Sequence, residues 1–162
     1  MIIYIRHAED KEGKYKHDAK ITEKGKKKST SLGKKLIKKY GLPNSVLCGP
    51  MRRTIKTAKY MAKNAAKNVG SHMREDRGLS RYFTGSEQKH PGVHPKYKKR
   101  IPIGGSHEKF KERVRKHIER VKDHKGKIIW CITHTLVIKE VGNYFNVKYP
   151  EHFEFLEVLV VP

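Results

Sequence analysis

Three short stretches of this chain place cations and imidazoles where polar chemistry could begin. Arg6-His7 ends the apolar run 2–5, Arg53 follows Gly49-Pro50 by three residues, and His134 comes just after the apolar run 128–132. Guanidinium and imidazole groups gathered at one point, with backbone N–H groups of helix N-termini, make a pocket for an anion. Taken singly, each has an ordinary explanation. An Arg-His pair arises by chance in a chain this rich in both residues, Arg53 is one of two adjacent arginines in a helical segment, and His134 could cap a helix. The elements around them decide whether they meet.

Those elements alternate. Residues 1–5 read as a buried strand, as do 45–49 and 127–133, and 153–161 reads as a closing strand. Thr22 opens an amphipathic helix with Leu32, Leu36 and Tyr40 on its inner stripe. Pro50 suits the first position of a second helix, whose inner face carries Ile55, Ala58, Met61 and Ala62. Ser106 caps a third helix, with Phe110, Val114, Ile118 and Val121 on one side up to Gly126, and a fourth runs from about Thr135 to Phe145. Between Gly70 and Gly105 only Met73 and residues 79–83 offer much to a core, which reads as a short strand and a long excursion. This pattern predicts a single α/β domain over 1–162. The expected architecture is a three-layer αβα sandwich on a mostly parallel, doubly wound sheet, with a basic loop excursion at about 84–105. In such a sheet, ligands sit outside the carboxyl ends of the strands, where Arg6, His7, Arg53 and His134 all fall.

The segments carrying these residues resemble the histidine phosphatase superfamily, which includes the cofactor-dependent phosphoglycerate mutases. Arg6-His7-Ala8-Glu9 is similar to the family's R-H-G-E, and Asp18-Ala19-Lys20-Ile21-Thr22-Glu23-Lys24-Gly25 to D-x-x-L-T-x-x-G. Residues 49–58 resemble S-P-x-x-R-A-x-x-T-A, with Gly49 at the serine, and residues 131–135 resemble the V-x-H-G segment. All four come in family order. The resemblance implies a phosphatase acting on phosphomonoesters or phosphohistidine. His7 would be the nucleophile that becomes a phosphohistidine, Arg6, Arg53 and a protonated His134 would hold the phosphoryl oxygens, and neither metal nor cofactor would be needed. Hydrolysis is expected over mutase activity, since a chain this short has little to shield a phosphoenzyme from water.

One departure stands out. Where many family members carry an L-x-E glutamate that protonates the leaving group, this chain has Leu79-Ser80-Arg81, and Thr135 stands where another branch has an aspartate. Arg81 cannot donate a proton in this way and is instead a phosphate-binding candidate. Glu75, Asp76 and Glu87 are candidates to replace the missing acid. The natural leading substrates are then those with good leaving groups. The alternative is a catalytically weak phosphate-binding relative that recognises a phosphorylated or nucleic-acid partner.

The formal net charge of +22 makes a phosphorylated small molecule, a phosphoprotein or nucleic acid the expected partner classes. Most of the cations are lysines spread along the chain, which argues for solvated surface over a dedicated nucleic-acid arm. Within the excursion, His90, His94, Lys96, Tyr97, Lys98, Lys99 and Arg100 form a basic cluster able to recognise acidic peptide, polyphosphate or nucleic acid. Cys48 and Cys131 sit in strand segments as reduced core thiols. No run suits a membrane span or a signal peptide, so a cytoplasmic protein without membrane association is expected; oligomeric state has no sequence signal.

Overall fold

Five strands form one sheet in the order β3-β2-β4-β1-β5. The first four, β1 (Ile2–Arg6), β2 (Ser45–Cys48), β3 (Met73–Glu75) and β4 (Ile129–Thr133), pair in parallel, and β5 (Val158–Val161) runs antiparallel at the edge. The computed structural model describes residues 1–11, 15, 18–63, 65, 73–89, 92–124 and 126–162; Gly13, Gly70 and His90 lie outside the described residues.

Strand alternation sorts the side chains into two cores. Ile2, Tyr4, Ile129 and Cys131 face α5 (His107–Lys122) and α6 (Thr135–Phe145), while Ile3, Ile5, Trp130 and Ile132 face α1 (Glu23–Tyr40) and α2 (Arg52–Ala62). Both faces of the central strands β1 and β4 are therefore dry, and the fold is the expected three-layer α/β sandwich. Phe110, Val114, Ile118 and Val121 are buried on α5 as their spacing requires. Cys48 and Cys131 are buried free thiols, and burial pushes Cys48 up to about 12. No helix among the described residues is long and apolar enough to cross a membrane.

Several local expectations need correction. The inner face of α1 is made by Gly25, Ser29, Gly33 and Leu36, with Leu32 and Tyr40 only partly buried. Small residues are required there because α1 lies against α2: a Cβ on Gly33 would stand 2.2 Å from the Met61 carbonyl oxygen. Gly33→Ala gains helix propensity of about 1 kcal/mol but collides with backbone that cannot swing aside, so a net loss of about 2 kcal/mol is expected in urea unfolding. Helix α2 begins at Arg52 with Met51 as its N-cap, so Pro50 precedes the helix. Its start is set from a distance, since buried Asp18 accepts from Arg52 N at 2.7 Å in place of a local cap.

The excursion contains two short helices, α3 (Gly85–Lys89) and α4 (Pro95–Lys98), anchored where Phe83, Val93 and Ile101 bury Met51. The closing strand is shorter than expected. A turn in which Glu157 N donates to Glu154 O, with Leu156 at φ +64°, occupies its first half and leaves only β5 extended.

Candidate active site

Register brings the two imidazoles together. In the β1–β4 ladder, Arg6 lies opposite Thr133, and the His7 N–H donates to the Thr133 carbonyl at 3.0 Å. The next residue on each strand therefore leaves the sheet at the same place, and the His7 and His134 rings stand 5.1 Å apart. Strand β2 ends one position earlier, with Cys48 opposite Ile132, and Gly49 N donates to Ile132 O at 3.0 Å as the chain turns towards α2. That turn delivers Arg53 to the same strand ends. His7, Arg53 and His134 are 6%, 6% and 5% exposed.

The motif residues outside the pocket hold this geometry. Thr22 donates to the Glu9 carboxylate at 2.9 Å and caps α1 by accepting from Gly25 N at 2.8 Å. Gly25 has no room for a side chain, because its Cβ would meet Glu9 O at 2.7 Å. Ala8 N donates to Thr57 Oγ1 at 2.9 Å, tying the turn after β1 to α2. Gly49 is similarly constrained, with Leu79 O 2.6 Å from where its Cβ would be. Thr133 Oγ1 donates to that carbonyl at 2.7 Å, which fixes the segment leading to Arg81.

His7 Nδ1 lies 2.9 Å from the Ala8 carbonyl oxygen. A carbonyl only accepts, so Nδ1 carries the proton and the Nε2 lone pair is the nucleophilic one. Burial lowers the His7 pKa well below the usual imidazole range, and the Arg53, Arg6 and Arg81 charges add to this, opposed in part by the Ala8 hydrogen bond. His134 is held neutral by burial and then by Arg53, His7, Arg81 and Arg6. The expected protonated His134 belongs to the phosphate-bound pocket, whereas this shift describes the pocket's own charges alone. A phosphate dianion beside the ring acts in the opposite direction and favours the imidazolium.

These shifts set a pH dependence. The unfolded chain protonates both imidazoles below about pH 6.5 while the folded chain does not, so the unfolded state binds more protons and stability falls as pH drops through that range. Melting temperatures between pH 7.5 and 5 are expected to decline, and the decline is expected to be shallower for His134→Asn.

The cations are positioned by separate contacts. Arg53 Nη1 donates to Asp10 Oδ2 at 3.0 Å. Arg6 donates to the Phe153 carbonyl and stacks on Phe155, its guanidinium carbon 4.4 Å from the ring centroid. Arg81 binds both carboxylate oxygens of Glu87, at 3.1 and 2.9 Å. Within this cluster Arg6 Nε, Arg53 Nε and His134 Nε2 are buried with no hydrogen-bond partner among the described residues; Ser80 Oγ and Trp130 Nε1 are in the same condition. His134 makes no side-chain cap to α6, which removes the capping explanation for it.

Of the three acid candidates, two point elsewhere. Glu75 pairs with Arg100. Burial alone would raise Asp76, but the His117 hydrogen bond at 2.8 Å and charge, with Gly78 N–H and Arg120, hold it well below the carboxylate range, so it has no proton to give. Glu87 touches the cluster, through Arg81. Within the excursion, His94, Lys96 and Tyr97 line a separate cleft, while Lys98, Lys99 and Arg100 are exposed. Among the described residues no three His, Cys, Asp or Glu side chains gather as a metal site would need.

Two neighbours were not foreseen. Asp10 orients Arg53, and Phe155 lies 5.7 Å from the His7 ring. An acidic residue just after Arg-His-Ala-Glu was a readable signal for Asp10. Phe155 had none, because the turn at 154–157 that presents it follows no apolar period.

The overall shape has solved counterparts at low sequence identity. A Bacillus stearothermophilus protein, YhfR, superposes with TM-score 0.70 at 16% identity, covering 99% of this chain and 91% of that one. The protein histidine phosphatase SixA complexed with tungstate gives 0.67 at 14%, covering 97% and 84%. Ecdysone phosphate phosphatase from Bombix mori, also with tungstate, gives 0.66 at 13%, covering 97% and 86%. No curated protein matches the sequence significantly. The family model of the histidine phosphatase superfamily, branch 1, matches residues 2–158, which takes in every strand-end residue of the cluster. Because that match runs nearly end to end and the fold agrees with it, this chain belongs to the histidine phosphatase superfamily.

Proposed function

We propose that this protein is a phosphatase that transfers a phosphoryl group to His7 Nε2 and then to water, acting on substrates whose leaving group needs no proton from the enzyme. Phosphohistidine and aryl phosphates are two such classes. The observation that carries this reading is the cluster of unpartnered buried nitrogens on Arg6, Arg53 and His134 around an imidazole whose Nε2 is free to attack. Phosphoryl transfer asks little of a protein beyond positioning and fixed positive charge at the oxygens.

In the first step the Nε2 lone pair forms the N–P bond as the substrate's bond to phosphorus breaks, and the leaving group takes that bond's electron pair. In the second, water attacks phosphorus, Nε2 recovers its lone pair, and the water proton is released with orthophosphate. Phosphohistidine protonated on its distal ring nitrogen departs as neutral imidazole, and a phenol departs as a stabilised phenolate. An alkoxide has no such help. Glu87 is committed to Arg81, and Asp76 to His117 and Arg120, so neither is poised to assist it.

A leaving-group series tests the proposal. Second-order rate constants are expected to fall steeply from nitrophenyl to alkyl phosphates, with phosphohistidine peptide turned over efficiently. Orthophosphate binding without turnover of any member would replace this reading with a phosphate-recognition protein. Arg81→Glu puts a second carboxylate against Glu87, and two carboxylates sharing a site raise the pKa of one. The alkyl-to-aryl rate ratio is then expected to rise by about tenfold or more; an unchanged ratio would place the proton donor elsewhere.

A further inference from the structure

A second hollow, of about 570 Å3, lies outside the catalytic cluster, between the turn after β1, the first turns of α1 and α2, and α4. Six cations line it: Lys11, Lys20, Lys26, Arg52, Lys56 and Lys96. Its one carboxylate, Glu23, is paired with Lys26, and no ion pair found among the described residues engages the other five cations. The larger hollow along β3 and α5, about 1010 Å3, is different. Its cations share the surface with Glu75, Asp76 and Glu112, which neutralise part of that charge.

Six cations facing one carboxylate across the lining leave an excess of like charge, and that repulsion falls when an anion enters. The walls of the 570 Å3 cleft do not depend on those lysines. Buried Asp18 joins two of them, accepting from Arg52 N at 2.7 Å and from His94 N at 3.2 Å. Tyr60, His94 and Tyr97 add ring faces and polar tips to the lining.

Size and charge density together select the ligand. The volume lies in the small-molecule range of about 300–1,000 Å3. A nucleic-acid duplex is too broad to enter it. An acidic peptide advances about 3.3–3.6 Å per residue and turns alternate side chains to opposite sides when extended, so its carboxylates are spread more thinly than the phosphates of an anhydride-linked chain. Consecutive phosphates concentrate their charge as the lysines do. We propose that this cleft binds a compact polyphosphate, a chain of two or more phosphates either free or carried by a nucleoside. The site is distinct from the His7 pocket, so its occupancy does not depend on the catalytic reading.

The test is calorimetric titration at 0.15 M salt of the folded His7→Ala protein, which cannot consume the ligand through His7. Inorganic tripolyphosphate, adenosine triphosphate and orthophosphate are titrated separately. Orthophosphate is expected to report the His7 pocket, and tripolyphosphate to fill one further site that Lys20→Glu/Lys56→Glu, added to this background, weakens by about 100-fold, roughly tenfold for each lost charged contact, while added Arg53→Ala leaves that further site unchanged. If the charge reversal misfolds, Lys20→Gln/Lys56→Gln is expected to show a smaller loss in the same direction. Equal affinities for tripolyphosphate and triphosphate assign the site to the phosphates alone; a triphosphate preference erased by Tyr97→Ala assigns it to a nucleotide. Unchanged binding in both lysine variants would overturn the proposal, as would a loss confined to Arg53→Ala, which puts the ligand in the catalytic pocket. Tighter binding of a 20-base-pair duplex through the same lysines would replace it with a nucleic-acid surface.

Discussion

His7→Ala is expected to lower aryl phosphate turnover by about 10^4-fold or more and to eliminate the phosphoenzyme that alkaline quenching traps from the parent protein. The expectation rests on one atom. His7 Nε2 is the ring nitrogen left with a lone pair once Nδ1 donates to Ala8 O, and no cation in the pocket can replace it as a nucleophile. The second imidazole does not rescue the variant, because its position is set by the strand ladder and not by the vacated side chain. Orthophosphate binding separates loss of chemistry from loss of the pocket. Arg6, Arg53 and His134 keep their unpartnered nitrogens, so the variant should still bind phosphate and melt cooperatively. Turnover within tenfold of the parent would show that another group attacks phosphorus.

Arg53→Ala is expected to cost about 3 kcal/mol of transition-state stabilisation, or 10^2- to 10^3-fold in kcat/KM. Arg53 is buried and oriented by Asp10, and it is the largest charged influence on both imidazoles. Removing it also relieves that influence, so both imidazole pKa values should rise and the acid limb of the kcat/KM profile should move to higher pH. Arg53→Lys keeps the charge but not the planar fork, and a point charge cannot hold Asp10 and two phosphoryl oxygens with the same geometry. It is therefore expected to restore the pH profile more fully than the rate. If rate and pH profile both remain parental in Arg53→Ala, Arg53 is a structural residue only. The shift in the acid limb is a readout that mere loss of packing would not produce.

Much of the architecture was readable because hydrophobic periodicity is a local record of burial. The spacing of Phe110, Val114, Ile118 and Val121 marked the buried face of α5, and the runs before His7 and after Lys127 marked strands covered on both sides. The same logic found only part of α1's inner face, Leu36 with Leu32 and Tyr40 packed against the core. Its contact face is defined by how closely another backbone approaches, and Gly25, Ser29 and Gly33 carry almost no hydrophobic signal. Pro50 misled for a related reason, since the cap that starts α2 comes from Asp18, far away along the chain.

Residue types and motif order picked out His7, Arg6, Arg53 and His134, which the fold brings to neighbouring strand ends, and they picked out Arg81 where many family members carry a glutamate. They could not rank Glu75, Asp76 and Glu87, because that choice turns on partners contributed by other elements: Arg100, His117 with Arg120, and Arg81. Phe155 and the cleft beside α4 were out of reach for the same reason.

Residue identity and spacing were thus enough for the layer order, the strand-end placement of Arg6, His7, Arg53 and His134, and the absence of an acid at position 81. The 5.1 Å meeting of His7 with His134, the tautomer of His7, the lowered pKa of both rings and the separation of a second basic hollow came from the folded chain. The physical reason is that hydrophobic pattern and turn chemistry act over a few residues. Hydrogen-bond register and burial join segments remote in sequence, and those joins set which charges face one another and how strongly water screens them.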